Sequence, residues 1–356
     1  MNVRSLSAPG KLFVSGEYAV LWGGTARVAA VGPRTHALMR RREDREVHLV
    51  TSEGRLVGDL TPLGVHWRTQ VLPGFHFAAR AIDDAIRIQG REGLGFSVAL
   101  SPSPLAPSGH KLGMGGSART TLLAVEASRS ALEERLDPLK LALVSHAASQ
   151  GGKGSGADVA AIFAGGIVRY RRYPVETLAQ DLSSGAVALE RAPVVDLWRI
   201  PLQPVRLTYA FTGESASTPQ LIGRAEERLD AEARAAFTAE SDVLGDALEE
   251  GLRRGDFEAL REAVRGLRTL LLRLGPLETE STKRLLSLAA LHGAVGKISG
   301  AGGGDGVLLF SPDEAAQTEL VAAIQARGLY ALPLELEPGM RGEAMPDPLL
   351  DRWLAA

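Results

Sequence analysis

Four stretches of this chain join glycines to a charged or hydroxyl side chain. They are "APGKLFVSGEY" around Lys11, "KLGMGGSART" from Lys111 to Thr120, "QGGKGSGADV" around Lys153 and Asp158, and "GKISGAGGGDG" from Gly296 to Gly306. Glycine permits positive φ and lets a backbone come close to a ligand. A helix start offers free N–H groups and a partial positive charge. Where the two features meet, they form a cradle for phosphate. In "KLGMGGSART", Gly113, Gly115 and Gly116 precede Ser117, and the apolar run that follows predicts a helix from about Ser117 to Glu134. No Gly-Lys-Ser/Thr closes the stretch, so it is not a P-loop. The Ser117 hydroxyl suits either a helix cap or a Mg²⁺ ligand, and the bland alternative is a tight turn.

"SGAGGGDG" holds five glycines in the seven residues from Gly300 to Gly306. A hairpin needs one or two, so the excess points to a backbone held open against a ligand, with a flexible turn as the alternative. Asp305 is placed to hold that loop by accepting N–H bonds. Lys11 sits in a Pro-Gly turn ahead of Glu17 and Tyr18. Lys153 and Asp158 share a loop that opens a helix, where Asp158 is either a cap or half of a catalytic pair. Only six of the 40 basic residues are lysines, and Lys11, Lys111, Lys153 and Lys297 fall in or beside these glycine segments. In an arginine-rich chain, that predicts one cleft lined by compact point charges. The alternative is chance clustering on a compositional bias.

The surrounding elements must position these loops. Alternation predicts strands in "RSLSAPGKLFVSG", "ARVAAVGPRTHALMRR", "EVHLVTSE", "LGFSVALSP" and "GGIVRYRRY". "HFAARAIDDAIRIQG" predicts a helix, and Asp137-Pro138 predicts the cap and first turn of another. "VRLTYAF" opens a second half in which helices dominate. Asp256 caps a helix with Phe257, Leu260, Val264, Leu267, Leu271 and Leu274 on one face, stopped by Gly275-Pro276. Ser311, Pro312 and Glu314 read as a capping box for a helix stopped by Gly328. "AVGKISG", "DGVLLFS" and "LYALPLEL" read as strands. Both halves are therefore α+β, with domains expected at residues 1–203 and 204–356.

The 356 residues suffice for two domains, and a net charge of −2 with no basic stripe argues against nucleic acid. Without cysteine there is no disulfide, thiolate catalysis or Cys-ligated zinc. The N-terminus lacks the apolar core of a signal peptide, and no run approaches the roughly 20 apolar residues of a membrane span. A cytoplasmic enzyme is expected.

Three of the segments, in order, resemble the signature motifs of the GHMP kinase superfamily: the substrate-side "PGK…GE", the ATP loop that is usually Gly-Leu-Gly-Ser-Ser-Ala, and the C-terminal glycine loop. The resemblance runs from about residue 7 to about residue 310. It implies an N-terminal domain like ribosomal protein S5 domain 2 and a ferredoxin-like C-terminal domain, with ATP and substrate meeting between them. Within the superfamily, "GEYAVL", "HAASQGGKGSGADVA", "TGESASTPQL" and the aspartate of "SGAGGGD" are similar to the phosphomevalonate kinase family. Mevalonate kinases usually carry histidine where Tyr18 stands and a metal-ligating glutamate where Ala147 stands. Gly116 departs from the usual serine of the ATP loop, and Arg119 from a usual small residue.

The resemblance implies transfer of phosphate from ATP to (R)-5-phosphomevalonate, giving 5-diphosphomevalonate, in the mevalonate route to isoprenoids. Phosphorylation of the mevalonate hydroxyl is the alternative, and a metabolite-binding relative without turnover is another. A phosphate monoester, with a second pKa of about 6, is mostly dianionic at neutral pH, so fixed cations matter more than a strong base. Two unit charges about 4 Å apart interact by about 4 kcal/mol at an effective dielectric of about 20. In the implied roles, Lys11 neutralises the transferring group and the acceptor phosphate. Asp158 positions Lys11 or the acceptor and is a base only secondarily. Gly113, Met114, Gly115, Gly116, Ser117 and Ala118 cradle the ATP phosphates with Lys111, and Ser117 ligates Mg²⁺. Lys153 binds charged oxygens, while Glu17, Tyr18, Ser155, Ser215, Ser217 and Thr218 belong to the acceptor side. Gly302, Gly303, Gly304 and Asp305 support the loop there. Mg²⁺ is the expected cofactor, ATP the co-substrate, and the assembly a monomer or homodimer with no nucleic-acid or membrane partner.

Overall fold

Strand β1 (Val3–Ser15) is apolar on both faces because both faces are covered. Leu6, Ala8 and Phe13 enter one core, and Leu12 and Val14 enter another. The strand pairs antiparallel with β2 (Thr25–Arg41), with register breaks between Ala8 and Gly10 and between Phe13 and Ser15. A computed structural model describes residues 3–89, 93–133, 137–152, 154–172, 174–175, 197–200, 205–214 and 218–355.

The first sheet extends from β2 through β6 (Phe96–Leu100), β3 (Glu46–Thr51), β4 (Gly54–Thr61) and β5 (Gly64–Trp67). β7 (Ile167–Arg171) also pairs with β2, and β8 (Leu197–Ile200) pairs with β7. Its pairs are antiparallel except β3 with β6. Helices α1 (His76–Gln89), α2 (Gly116–Leu132), α3 (Pro138–Ser149) and α4 (Ala157–Ala164) pack with one face of this sheet around a shared core. Asp137 accepts from the backbone N–H groups of Leu139 and Lys140 and starts α3 as expected, a cap of the kind that contributes about 1 kcal/mol.

The second sheet has the order β10 (Val295–Ile298), β11 (Gly306–Ser311), β9 (Arg206–Phe211), β12 (Tyr330–Leu334), all antiparallel. Around it lie α5 (Thr218–Arg228), α6 (Ala231–Arg254), α7 (Phe257–Leu272), α8 (Glu280–Leu291) and α9 (Glu314–Gln325). On α7, capped by Asp256, the buried stripe includes Leu260, Val264, Leu267 and Leu271. Burial of each such side chain contributes about 1.5–3 kcal/mol. The start of α9 differs from expectation. Asp313 is the cap, accepting from Ala316 N–H, while Ser311 is the last residue of β11. The strand runs two residues too far for a serine capping box to form.

The chain then returns to the first sheet. β13 (Arg341–Glu343) pairs antiparallel with β1, and Leu350 of α10 (Pro348–Ala355) packs on Leu38, Val50 and Ala99. A single cut at 203/204 assigns these residues to the second half, whereas their strand pairing puts them in the first. The architecture is α+β with two sheets, and Leu12, Val14, Val31 and Met114 share a core with Leu207, Tyr209 and Leu308 between them. Charge reinforces that joint. The fully buried Arg27 guanidinium bonds Asp246, and Glu249 at 2.9 Å, on one face of α6, while Thr25 N–H donates to Asp242 at 2.8 Å. Among the described residues no helix is long and apolar enough to cross a membrane.

Candidate active site

The break after Ala8 brings Gly10 and Lys11 against the first glycine loop. Lys11 N–H donates to the Met114 carbonyl at 3.1 Å. A Cβ on Gly10 would stand 3.1 Å from Val31 O and 3.3 Å from Met114 Cβ, so the approach requires little bulk there. Gly115, at φ 78°, precedes α2, and a Cβ on it would fall 2.8 Å from Lys11 Cγ. The lysine stem therefore runs beneath the loop and meets the start of the helix. Gly116 leaves room for Ser103, whose Oγ lies 2.9 Å from where a Cβ would stand. From the second sheet, the buried Tyr209 donates its hydroxyl to Leu112 O at 2.6 Å. Burial pushes that phenol well above its ordinary pKa.

On the other side of Lys11, α4 begins behind Gly156, where φ is 79° and a Cβ would meet Leu143 Cδ2 at 2.5 Å. The Ser155 hydroxyl accepts from Ala157 N–H at 3.3 Å, and its carbonyl accepts from the Tyr170 hydroxyl at 3.1 Å. These contacts fix the helix start and put Asp158 in its first turn. His146, on α3, is 1% exposed; its Nε2 lies 3.1 Å from Ser117 Oγ and its Nδ1 4.0 Å from Asp158 Oδ1. Burial holds the imidazole below its ordinary pKa; Asp158 opposes this and Lys11 adds to it.

The second glycine loop closes the site from the C-terminal half. Asp305 has φ 49°, receives Thr212 N–H and Thr212 Oγ1–H on its carbonyl at 2.8 and 2.9 Å, and donates its N–H to Glu214 O at 2.7 Å. Its carboxylate lies against Gly113, where a Cβ would be 2.9 Å from Asp305 Cγ. Gly303 N–H donates to Leu277 O at 2.7 Å, and a Cβ on Gly302 would stand 2.7 Å from the same oxygen. Burial pulls the Lys11 ammonium below the lysine range, while Asp158 and Asp305 raise it and Arg119 adds to the lowering. Arg119 is 2% exposed and donates a hydrogen bond of 3.0 Å to Pro33 O, and its Nε has no partner among the described residues. Burial takes its pKa down to about 10. Two glycine loops, a helix start and two cations thus converge where the sheets meet, an arrangement suited to polyanions. Among the described residues no group of three or more His, Asp or Glu side chains is arranged to hold a metal.

A family model described as GHMP kinases C terminal matches residues 248–329. The chain is 30% identical to a mevalonate kinase of Aeropyrum pernix, over 86% of this chain and 89% of that one. This chain belongs to the GHMP kinase family. It is 29% identical to a phosphomevalonate kinase of a Streptomyces species, covering 94% of this chain and 97% of the relative. Among solved structures, the Lin0012 protein from Listeria innocua has a TM-score of 0.85 at 25% identity, covering 97% of this chain and all of its own. The Streptococcus pneumoniae phosphomevalonate kinase in complex with phosphomevalonate and AMPPNP has a TM-score of 0.79 at 22% identity, covering 94% and 99%, and shares the fold.

The kinase spends its lysines differently from the expectation of one shared cationic lining. Lys297 is fully buried, bonded to the Glu17 carboxylate and to Ile298 O at 2.9 Å, so its charge is consumed in the joint between the halves. Lys111 is exposed and forms an isolated bridge with Leu105. Lys153, Ser215 and Ser217 lie outside the described residues, and Thr218 is described only as the start of α5. Glu17 and Tyr18, expected on the acceptor side, have their polar atoms engaged by the C-terminal half; the Tyr18 hydroxyl donates to Ala301 O at 2.8 Å. Sequence reasoning missed His146, Ser103 and Tyr209. The signal for His146 was its place at the head of "HAASQGGKGSGADVA", a segment whose lysine and aspartate were singled out and whose histidine was not. Ser103 stands in a Pro/Ser loop with no periodicity to mark it.

Proposed function

We propose that this GHMP kinase transfers the γ-phosphoryl group of ATP to a phosphate oxygen of (R)-5-phosphomevalonate. One observation carries the choice of acceptor. Eleven residues before Asp158, the position where mevalonate kinases usually carry a metal-ligating glutamate is the buried Ala147, and Arg119 adds a buried cation that has no carboxylate partner among the described residues. A site with less negative and more positive charge suits an acceptor that brings its own anionic phosphate. Each like-charge pair avoided at about 4 Å removes about 4 kcal/mol of repulsion at an effective dielectric of about 20. The extended similarity to a phosphomevalonate kinase supports the same choice.

In this reading the N–H groups from Gly113 to Ser117 hold the nucleotide phosphates at the start of α2. The Ser117 hydroxyl would hold a Mg²⁺ that would offset the charge of the nucleotide phosphates, a cation commonly bound through few protein oxygens and the phosphates themselves. Lys11 lies between donor and acceptor and stabilises the transferring group. An acceptor phosphate oxygen forms a bond to the γ-phosphorus as the bond to the bridging oxygen of ADP breaks. The dianionic acceptor has no proton to lose, so Asp158 holds Lys11 and the acceptor in place. The ³¹P NMR spectrum of the product tests this. From 5-phosphomevalonate and Mg·ATP, a pair of coupled phosphorus signals additional to those of ADP is expected, with loss of the 5-phosphomevalonate monoester signal. A phosphomonoester formed from mevalonate, with 5-phosphomevalonate untouched, overturns it.

A further inference from the structure

We infer that His146 is a positioning residue that accepts the Ser117 hydroxyl proton on Nε2 and turns its Nδ1–H toward Asp158. One ring then orients the two side chains on either side of Lys11. The inference rests on the roles just proposed for Ser117 and Asp158.

The ring has little freedom. It is 1% exposed, its centroid lies 5.5 Å from that of Phe77, and it sits within the capped helix α3. Its Nε2 is 3.1 Å from Ser117 Oγ. Among the described residues Nδ1 is buried without a hydrogen-bond partner, and it faces Asp158 Oδ1 at 4.0 Å. A carboxylate only accepts, so an Nδ1 lone pair there would oppose another acceptor. The tautomer with its proton on Nδ1 removes that conflict and leaves Nε2 as the acceptor for Ser117. At 4.0 Å the Asp158 contact is longer than a hydrogen bond; Asp158 Oδ1 also accepts Val159 N–H at 2.9 Å, and its side chain, 19% exposed against 1% for the ring, is the less confined of the two.

The consequence falls on the serine. A hydroxyl carries one proton and two lone pairs. With its proton directed to His146, Ser117 presents lone pairs to the cation that accompanies the nucleotide. Without an acceptor in the ring, the proton is free to turn toward that cation. The N-cap position before α2 is Gly115, which has no side chain that could fix this rotor.

Two substitutions separate the two ends of the ring. His146→Asn keeps a donor where Nδ1 stands and loses the reach to Ser117. His146→Gln keeps a polar group where Nε2 stands and loses the Asp158 side. The readout is calorimetric binding of a non-hydrolysable ATP analogue, with Mg²⁺ and with EDTA. His146→Asn should weaken the Mg²⁺-loaded analogue by about tenfold and leave metal-free binding unchanged, as loss of an outer-sphere partner does. His146→Gln should keep Mg²⁺-linked binding within about twofold of wild type and lower kcat by about tenfold, at unchanged acceptor KM, with whichever acceptor the wild type uses. Undiminished Mg²⁺-linked binding in His146→Asn overturns the inference. So do equal losses in both variants with and without metal, which mark a merely structural role. If either variant fails to fold, the other decides. If the wild type prefers mevalonate, the acceptor assignment fails while the binding arms still judge His146.

Discussion

Lys297, on the first strand edge of the second sheet, is bonded to Glu17, which follows the first strand of the other sheet, and both side chains are buried. Tyr18 extends the same contact by donating to Ala301 O in the second glycine loop. The ion pair therefore joins the two halves directly behind that loop. Removing one partner of such a pair leaves a buried charge unpaired, at a cost of about 3–5 kcal/mol. Glu17→Leu should lose that much in urea unfolding, and Glu17→Leu with Lys297→Met should recover most of it. A double variant no more stable than the single one would contradict the pairing.

In the proposed mechanism Lys11 acts on the reaction itself. Lys11→Ala should lower kcat by about 10²–10³-fold, the size expected when one preorganised charge is removed from a developing anion. Lys11→Arg should recover little, because the stem passes beneath Gly115 and a planar fork does not replace a compact ammonium. A loss of kcat below tenfold in Lys11→Ala would remove the residue from this role.

The pH dependence has a definite sign. Burial lowers the Lys11 pKa from 10.5, so the ammonium loses its proton, and activity falls, at a pH below 10.5. Asp158 raises that pKa, so Asp158→Asn should move the alkaline limb of kcat/KM to still lower pH. In the window between the folded and unfolded values, the unfolded chain binds more protons, and this group's contribution to stability rises with pH. An alkaline limb that stays in place or moves upward in Asp158→Asn would contradict the electrostatic pairing.

Gly113 meets two constraints at once. Its φ is 68°, and a Cβ would be 2.9 Å from Asp305 Cγ. Gly113→Ala should lower stability by about 1–2 kcal/mol through the left-handed backbone alone. It should also raise the KM for ATP, because the loop and Asp305 must separate. Adding Asp305→Ala should relieve the clash and leave the backbone cost. Wild-type stability and KM in Gly113→Ala, measured by urea unfolding and initial rates, would show that neither constraint operates.

Much of this site was legible because glycine spacing is a local signal. The loop at Gly113 to Ser117, the helix behind Asp158 and the second loop before β11 all lie where their residue patterns place them. The inter-sheet bonds were not legible. Arg27 reaches Asp246 and Glu249, and Lys297 reaches Glu17 across 280 positions, and no periodicity links such residues. The lysine of the fourth glycine segment read as a ligand-binding charge because sequence shows a side chain's type and not which face of the strand it leaves. The return of β13 to β1 was hidden for a related reason: a three-residue strand carries too little alternation to be recognised. Asp313 displaced Ser311 as a cap because β11 continued through the serine.

The acceptor is the central claim, and the most direct measurement is kcat/KM for 5-phosphomevalonate and for mevalonate, each at saturating Mg·ATP, by coupled ADP release on one enzyme preparation. A preference of at least about 100-fold for 5-phosphomevalonate is predicted, equivalent to roughly 2.7 kcal/mol of differential transition-state binding. An equal or greater kcat/KM for mevalonate would contradict the account.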